Sequence, residues 1–266
     1  MSKGNTYVVT GSASGMGAAT KARLEADGHE VIGVDVRDAT ATFDLGTAHG
    51  RENAIAAIYQ YADGAIDGIV TFAGLAGTSS RPGGVVASVN YFGTITLLEG
   101  LRPALEAARG KQPAAVAISS NSATVQPGLP PDITDACLAG EEEEARRLAD
   151  KLGAPIAYPS AKLAVARWVR RNAPKAEWAG TGITLNAIAP GYIETPMTAE
   201  IKQDKKIGPL LDRFPIPVGR PGRPEEIAAL VAFLLGPEAR YVCGSVLLAD
   251  GGSEAVLRPD HWPAAW

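Results

Sequence analysis

The sequence predicts a single-domain α/β protein in which a doubly wound parallel sheet carries helices on both faces. Short runs rich in β-branched residues alternate with longer helical patterns along the chain. The strands are apolar throughout, as in Val116-Ala117-Ile118, which is typical of strands that are covered on both faces. The 266 residues, of which 46% are hydrophobic, suffice for one unit of this kind.

Strands and helices can be assigned in alternating order. This alternation with short connections implies parallel strands and right-handed crossovers, and we interpret it as a doubly wound sheet. Strands are predicted at residues 6–10, 30–35, 66–72, 114–119, 183–189 and 246–249, and helices at residues 15–27, 51–61, 85–107, 156–173 and 224–235.

Two segments interrupt this alternation. Residues 125–153 form an insertion in which a turn-rich stretch precedes a helix that begins with the acidic run Glu141–Glu144. We interpret the run as a solvated first turn, favoured there by the helix dipole. Residues 191–223 are rich in proline and glycine, and a loop this long predicts a substrate lid. The lid's apolar side chains suit a hydrophobic substrate, although a lid that packs onto its own domain would have the same composition.

Composition restricts the partners. The net charge of −4 argues against nucleic acid and anionic membranes as partners. Cys137, Cys243 and the three histidines lack metal-ligand spacing, so no metal site and two reduced thiols are expected. The N-terminal Met-Ser-Lys-Gly-Asn shows no signal pattern, and no apolar stretch is long enough to span a bilayer, so we expect a cytoplasmic protein.

A glycine-rich loop, Thr10–Gly17, joins the first strand to the first helix. Gly11 permits a sharp turn, Gly15 lets the backbone approach a pyrophosphate, and Gly17 lets helix and strand pack closely. The helix N-terminus offers N–H groups to the anion. This context predicts a dinucleotide site of the Rossmann type, with loop residues Gly11, Ser12, Ser14, Gly15, Met16 and Gly17 as the ligands.

Asp35 ends the second strand, 18 residues beyond Gly17. A carboxylate at this position accepts hydrogen bonds from the adenosine ribose and repels a 2′-phosphate, so NAD is favoured over NADP. Arg37 lies nearby and is able to meet a phosphate, and a capping or turn aspartate remains an alternative for Asp35.

Tyr158 and Lys162 lie four residues apart, which places them on one face of a helix. A phenol with a pKa near ~10 is a poor base, and a nearby ammonium favours the phenolate, although a surface Tyr/Lys pair has the same spacing. Ser120, with Ser119 as a competitor, follows a strand at the edge where ligands bind. Asn90 sits in a helix that its propensity does not favour, which suggests that its amide orders a water next to Lys162.

Together these residues resemble the short-chain dehydrogenase/reductase family over essentially the whole chain. Within that family the chain resembles the bacterial 3α-hydroxysteroid dehydrogenase/carbonyl reductase group, with which it shares the long gap of 38 residues between Ser120 and Tyr158. The matching pieces are Thr10–Gly17, Asp35, Asp44-Leu45, Ala73-Gly74, Asn90, Ser120, Tyr158-xxx-Lys162, Pro190-Gly191 and Asp250-Gly251-Gly252.

The resemblance implies a role for each matching residue. Ser120 would position the substrate, Tyr158 would be the acid/base, and Lys162 would tune its pKa and anchor the ribose. Asn90 would maintain the proton relay. The implied cofactor contacts are Asp44 and Leu45 at the adenine, Gly74 at the ribose and Thr195 at the carboxamide, with Val36, Ala73, Pro190 and Ile193 completing the set.

One motif of the family is only half present in this chain, and the insertion implies a different oligomeric state. The family often has Asn-Asn-Ala-Gly where this chain has Thr71-Phe72-Ala73-Gly74, so only the second half is supported. The insertion leads into the tyrosine helix and is expected to alter an oligomer surface there. We therefore expect a homo-oligomer, a dimer in preference to a tetramer.

The function expected from this set is NAD-dependent interconversion of a secondary alcohol and a ketone, on a hydrophobic alicyclic or steroid-like substrate. Another hydrophobic secondary alcohol is the alternative. A non-catalytic nucleotide-binding protein would not need Asn90, Ser120, Tyr158 and Lys162 together. A sugar-nucleotide epimerase is disfavoured because only 14 residues follow Gly252.

Overall fold

A parallel sheet forms the centre of the computed structural model, which describes residues 4–108 and 111–261. The first three residues of the N-terminal stretch considered above lie outside the described residues. The strand order β3-β2-β1-β4-β5-β6-β7 reverses direction between β1 and β4, which opens a crevice at the carboxyl ends of these strands. The strands are β1 Thr6–Thr10, β2 Glu30–Asp35, β3 Ala41–Thr42, β4 Gly68–Thr71, β5 Ala114–Ile118, β6 Thr184–Pro190 and β7 Val246–Ala249.

Helices cover both faces of this sheet. Successive residues of β1 point to opposite faces, so Val8 and Val9 belong to two separate apolar cores. Val9 shares its core with Leu24 of α1, and Val8 shares the other with Leu97 of α4. This confirms the doubly wound fold. The covering helices are α1 Gly15–Ala26 and α11 Pro224–Leu235 on one face, and α2 Ala48–Tyr61, α4 Gly93–Ala107 and α8 Ala154–Asn172 on the other.

The helix predicted at residues 85–107 differs from the expectation. It begins two residues earlier as α3 (Gly83–Ala87), passes through a π-helical turn at Ser88–Phe92 and continues as α4. A π-turn inserts one residue into the helical repeat, and apolar periodicity does not reveal it. Strand β3 was not predicted because two residues show no periodicity.

The insertion is helical, as predicted, but it contains an additional helix. It follows α5 (Ser122–Val125) and comprises α6 (Pro131–Ala139) and α7 (Glu142–Leu152). The predicted turn-rich stretch leads into α6, because Pro131 occupies the first helical position, where its missing N–H costs nothing. Both helices pack against α8, and α7 also packs against α3.

The lid at residues 191–223 carries α9 (Pro196–Gln203) and α10 (Gly208–Leu211). Its ends are joined by backbone hydrogen bonds, from Gly222 N to Tyr192 O and from Glu194 N to Gly222 O, both 2.9 Å long. The lid therefore leaves the carboxyl edge of the sheet and returns to it at nearly the same place. Helix α12 (Ser253–Leu257) follows β7. None of the helices in the described residues has the length and apolar character needed to cross a bilayer.

Candidate active site

The glycine-rich loop forms a tight cradle between β1 and α1. Gly11 has φ +67°, and a Cβ there would lie 2.8 Å from Ala73 N. A Cβ on Gly17 would lie 2.1 Å from Gly11 O, which confirms the close packing of helix and strand. Ser14, the N-cap of α1, makes no side-chain cap hydrogen bond, and the first turn contains no acidic residue. The N–H groups of this turn therefore remain available to an anion, and the loop fits a pyrophosphate.

A cavity of about 380 Å³, which we name the dinucleotide cleft, opens beside this loop. Three of its apolar wall residues, Phe43, Val85 and Val89, were not predicted, because single apolar residues look like ordinary core in a sequence. The predicted residues that line the cleft are Gly11, Ser14, Gly15, Met16, Gly17, Asp35, Val36, Asp44, Leu45, Ala73, Gly74 and Thr195.

Asp35 is fixed at the end of β2 by two backbone groups. Its Oδ2 accepts a hydrogen bond from Ala13 N at 3.0 Å, and its Oδ1 accepts one from Val36 N at 2.7 Å. Each carboxylate oxygen can accept a second hydrogen bond. The carboxylate is therefore held in the cleft with acceptor capacity left for ribose hydroxyls.

Ser12 and Asn90 line neither cavity described here. The Ser12 side chain is buried against β2, its Oγ 2.6 Å from the position of a Gly33 Cβ, so a contact of Ser12 with the cofactor would come from its backbone. Asn90 Oδ1 accepts from Leu75 N at 2.8 Å, and Nδ2 donates to Leu75 O at 3.0 Å. The amide thus holds the loop after β4. The role expected for Asn90, ordering a water next to Lys162, stays a prediction.

A second cavity of about 330 Å³, which we name the substrate cavity, adjoins the cleft. Met16, Gly74 and Thr195 line both spaces, so the two cavities adjoin at these residues. The predicted residues Ser120, Tyr158, Lys162, Pro190 and Ile193 also line the substrate cavity.

The structure distinguishes between the two serines that follow β5. Ser119 Oγ donates a hydrogen bond of 2.7 Å to Lys162 O, is buried, and joins the strand to α8. Ser120 Oγ accepts from Ser122 N at 3.2 Å and from Ser122 Oγ at 2.9 Å. Because its hydroxyl lies in the cavity beside Tyr158, Ser120 is better placed than Ser119 to hold a substrate oxygen.

The electrostatics of Tyr158 and Lys162 differ from the expectation. Burial raises the pKa of the Tyr158 phenol, and the interaction with Ser120 opposes this only in part. Burial also lowers the pKa of Lys162 to about 8, and its Nζ donates to Ile118 O at 2.9 Å. In the chain alone, desolvation is thus the largest cause of both pKa shifts, and the lowering of the phenol pKa by Lys162 stays a prediction.

The lid and the start of the insertion supply further walls of the substrate cavity. Val125 and Gln126 line the cavity, so the insertion contributes to it directly. In residues 4–108 and 111–261, no cluster of three or more His, Cys, Asp or Glu side chains is arranged to hold a metal ion. The apolar lid residues that line the cavity are Met197, Ile201, Ile207, Leu210, Leu211 and Phe214.

The fold and the site define a dinucleotide-binding α/β protein with a phenol, an ammonium and a hydroxyl beside the cleft. Residues 152–254 match the family model described as Enoyl-(Acyl carrier protein) reductase. The 3-alpha-hydroxysteroid dehydrogenase/carbonyl reductase of Comamonas testosteroni is 42% identical over 258 residues, which cover 96% of this chain and 98% of the relative. The chain belongs to the short-chain dehydrogenase/reductase family of NAD(P)-dependent oxidoreductases.

Solved structures agree with this assignment. The 3-alpha-hydroxysteroid dehydrogenase from Pseudomonas sp. B-0831, crystallised as a complex with NADH, is 45% identical and superposes with a TM-score of 0.91. It covers 97% of this chain and 100% of its own. A putative gluconate 5-dehydrogenase from Beutenbergia cavernae is 26% identical, with a TM-score of 0.74, and covers 96% of this chain and 98% of its own. The predicted resemblance is confirmed.

Proposed function

We propose that the chain interconverts a hydrophobic, alicyclic secondary alcohol of the 3α-hydroxysteroid class and the corresponding ketone, with NAD as cofactor. One observation carries the proposal. Ser120, Tyr158 and Lys162 line a single, mainly apolar cavity that adjoins the dinucleotide cleft. A reacting carbon bound there lies between the acid/base group and the cofactor site, as hydride transfer requires.

The chain's own residues account for the proton. When bound, the nicotinamide supplies or takes up the hydride. Because burial raises the pKa of Tyr158, the phenol is protonated at neutral pH and is suited to donate a proton to a ketone oxygen. Ser120 positions that oxygen. Alcohol oxidation first requires loss of the phenol proton, so it should be favoured by higher pH.

The cofactor follows from the cleft. Asp35, held by Ala13 N and Val36 N, presents acceptors to the ribose and a negative charge to any 2′-phosphate. The Lys162 ammonium lies near Gly74, with its Nζ 3.7 Å from the position of a Gly74 Cβ, and can donate to ribose hydroxyls in the cleft. The NADH complex of the Pseudomonas relative supports NAD as the cofactor.

The substrate class follows from the substrate cavity. Lys162 is the sole charged residue among its described lining residues, and the lid contributes mainly apolar side chains. A space of about 330 Å³ with this lining favours a neutral, compact hydrocarbon skeleton with one reacting oxygen. The names of the Comamonas and Pseudomonas relatives, both 3-alpha-hydroxysteroid dehydrogenases, support a hydroxysteroid, and another hydrophobic secondary alcohol remains the alternative.

We also infer a cytoplasmic homodimer. Helices α6 and α7 pack against α8 and cover the surface that leads into the tyrosine helix. Near the edge strand β7, the apolar side chains of Phe233, Tyr241 and Leu248 are exposed, which favours a contact with a second copy there. Sedimentation equilibrium of the wild type should give twice the chain mass, and a monomer or a tetramer would contradict this.

A turnover panel tests the proposed function. Purified protein is assayed with NAD and NADP against a 3α-hydroxysteroid, a monocyclic alicyclic alcohol, an acyclic secondary alcohol and an aldose. The proposal predicts the highest kcat/KM for the steroid with NAD. Preference for the aldose would contradict the substrate class. NADH binding without turnover of any member would contradict the catalytic role.

A further inference from the structure

One face of α7, in the insertion, carries three polar residues at intervals of four: Glu142, Arg146 and Asp150. Each makes a hydrogen bond to another element. Glu142 pairs with the Arg51 guanidinium through both carboxylate oxygens, with Oε1 3.2 Å from Nη1. Arg146 Nη1 donates to Ser88 Oγ at 2.7 Å, and Asp150 Oδ1 accepts from Gly84 N at 2.7 Å. We name these three residues the α7 brace.

The bonds of the brace end at one wall of the dinucleotide cleft. Arg51 is 4% exposed, and its Nη1 also donates to Leu45 O at 3.2 Å. Leu45 lines the cleft. Gly84 and Ser88 immediately precede Val85 and Val89, the apolar residues of the same wall. Leu45, Val85 and Val89 are thus each connected to α7 through one intervening residue.

This wall lies at the adenosine end of the cleft. Phe43 N donates to Asp35 O at 2.9 Å, so the segment leading to Leu45 runs beside the carboxylate assigned to the adenosine ribose. Leu45, Val85 and Val89 line the dinucleotide cleft alone, whereas Met16, Gly74 and Thr195 line it where it meets the substrate cavity.

We propose that the α7 brace positions the adenosine-side wall, so that the insertion sets cofactor affinity without touching the cofactor. The inference rests on the proposed binding of NAD. Glu142 is the central member, because loss of its charge leaves a buried guanidinium without its counter-ion and releases the donor to Leu45 O. One glutamate of the acidic run is therefore a positioning residue and not part of a solvated turn.

The test compares Glu142→Gln with Glu144→Gln in the intact protein. Glu144 belongs to the same run, and its ion pair is with the exposed Arg147, so the control makes the same substitution away from the cleft. The measurements are NADH binding by fluorescence, competition by 5′-AMP and by nicotinamide mononucleotide, and kcat at saturating NADH. Glu142→Gln should weaken the affinities for NADH and for 5′-AMP about tenfold. Mononucleotide affinity and kcat should stay within about twofold, as should every constant of Glu144→Gln.

Circular dichroism melting accompanies each variant. If Glu142→Gln does not fold, Arg146→Met replaces it in the test, because this variant removes only the bond to Ser88. It should weaken the affinity for 5′-AMP about threefold. Unchanged 5′-AMP affinity in a folded variant would overturn the proposed role of the brace. Equal losses of affinity for 5′-AMP and for nicotinamide mononucleotide would overturn it as well. Failure of the wild type to bind NADH would instead overturn the proposed function.

Discussion

Lys162 provides a prediction that combines its catalytic position with the stability of the fold. Its ammonium is 4% exposed, and burial lowers its pKa from 10.5 to about 8. Below pH 8 the group is charged in both the folded and the unfolded chain, so the folded state bears the full cost of desolvation. Between pH 8 and 10.5 the unfolded chain binds more protons, so the free energy of unfolding rises with pH.

The size of this effect follows from the two pKa values. A drop in the pKa from 10.5 to about 8 corresponds to a destabilisation of the folded state by about 3 kcal/mol. This destabilisation is fully present below pH 8 and is lost above pH 10.5. Lys162→Met removes the titrating group but keeps a long side chain. The wild type should therefore gain about 2 to 3 kcal/mol of stability relative to this variant between pH 7 and pH 10.

Urea unfolding followed by circular dichroism measures this difference. The curves are recorded at pH 7, 8, 9 and 10 for the wild type, Lys162→Met and Lys151→Met. Lys151 is exposed on α7, so its variant should follow the wild type at every pH. A difference in unfolding free energy between the wild type and Lys162→Met that stays constant from pH 7 to pH 10 would refute the lowered pKa of the buried Lys162.

Two further predictions concern the cofactor and the serines. Asp35→Ala should weaken the affinity for NAD by about 10- to 100-fold and raise the relative kcat/KM for NADP, because a charged acceptor is lost. The control Asp38→Ala, at an exposed neighbouring position, should change neither. An unaltered ratio of kcat/KM between NAD and NADP in Asp35→Ala would contradict the assignment. Ser120→Ala should lower kcat by about 10²- to 10³-fold with little change in stability. Ser119→Ala should cost about 0.5 to 1.5 kcal/mol of unfolding free energy, because the hydrogen bond that joins β5 to α8 is lost, and should largely retain kcat. Steady-state kinetics and urea unfolding distinguish the two serines, and the reverse pattern would exchange their roles.

The features that were predicted well are local in sequence. The glycine loop, Asp35 at the end of β2 and the four-residue spacing of Tyr158 and Lys162 each occupy one element or one connection. Their chemistry depends on the strand–turn–helix context, which periodicity and turn residues indicate. The family resemblance added Thr195 and Gly74, both of which line the cleft and the substrate cavity.

The features that were missed depend on distant contacts. Glu142 and Arg51 are 91 residues apart, and nothing in the acidic run indicates a buried partner. The direction of the Tyr158 pKa shift depends on how far the folded chain desolvates the phenol, which helical spacing does not encode. The orientation of Ser12 toward Gly33 likewise depends on the packing of α1 against β2.

Tyr158→Phe tests the central claim most directly, because it removes only the phenol oxygen. NADH affinity is measured by fluorescence titration, and ketone reduction with the best substrate of the panel is followed at saturating NADH. Because Tyr158 is assigned the proton, the variant should bind NADH within about twofold of the wild type. Its kcat should fall by about 10²- to 10⁴-fold. Turnover within about tenfold of the wild type, with NADH still bound, would contradict Tyr158 as the acid/base of the reaction.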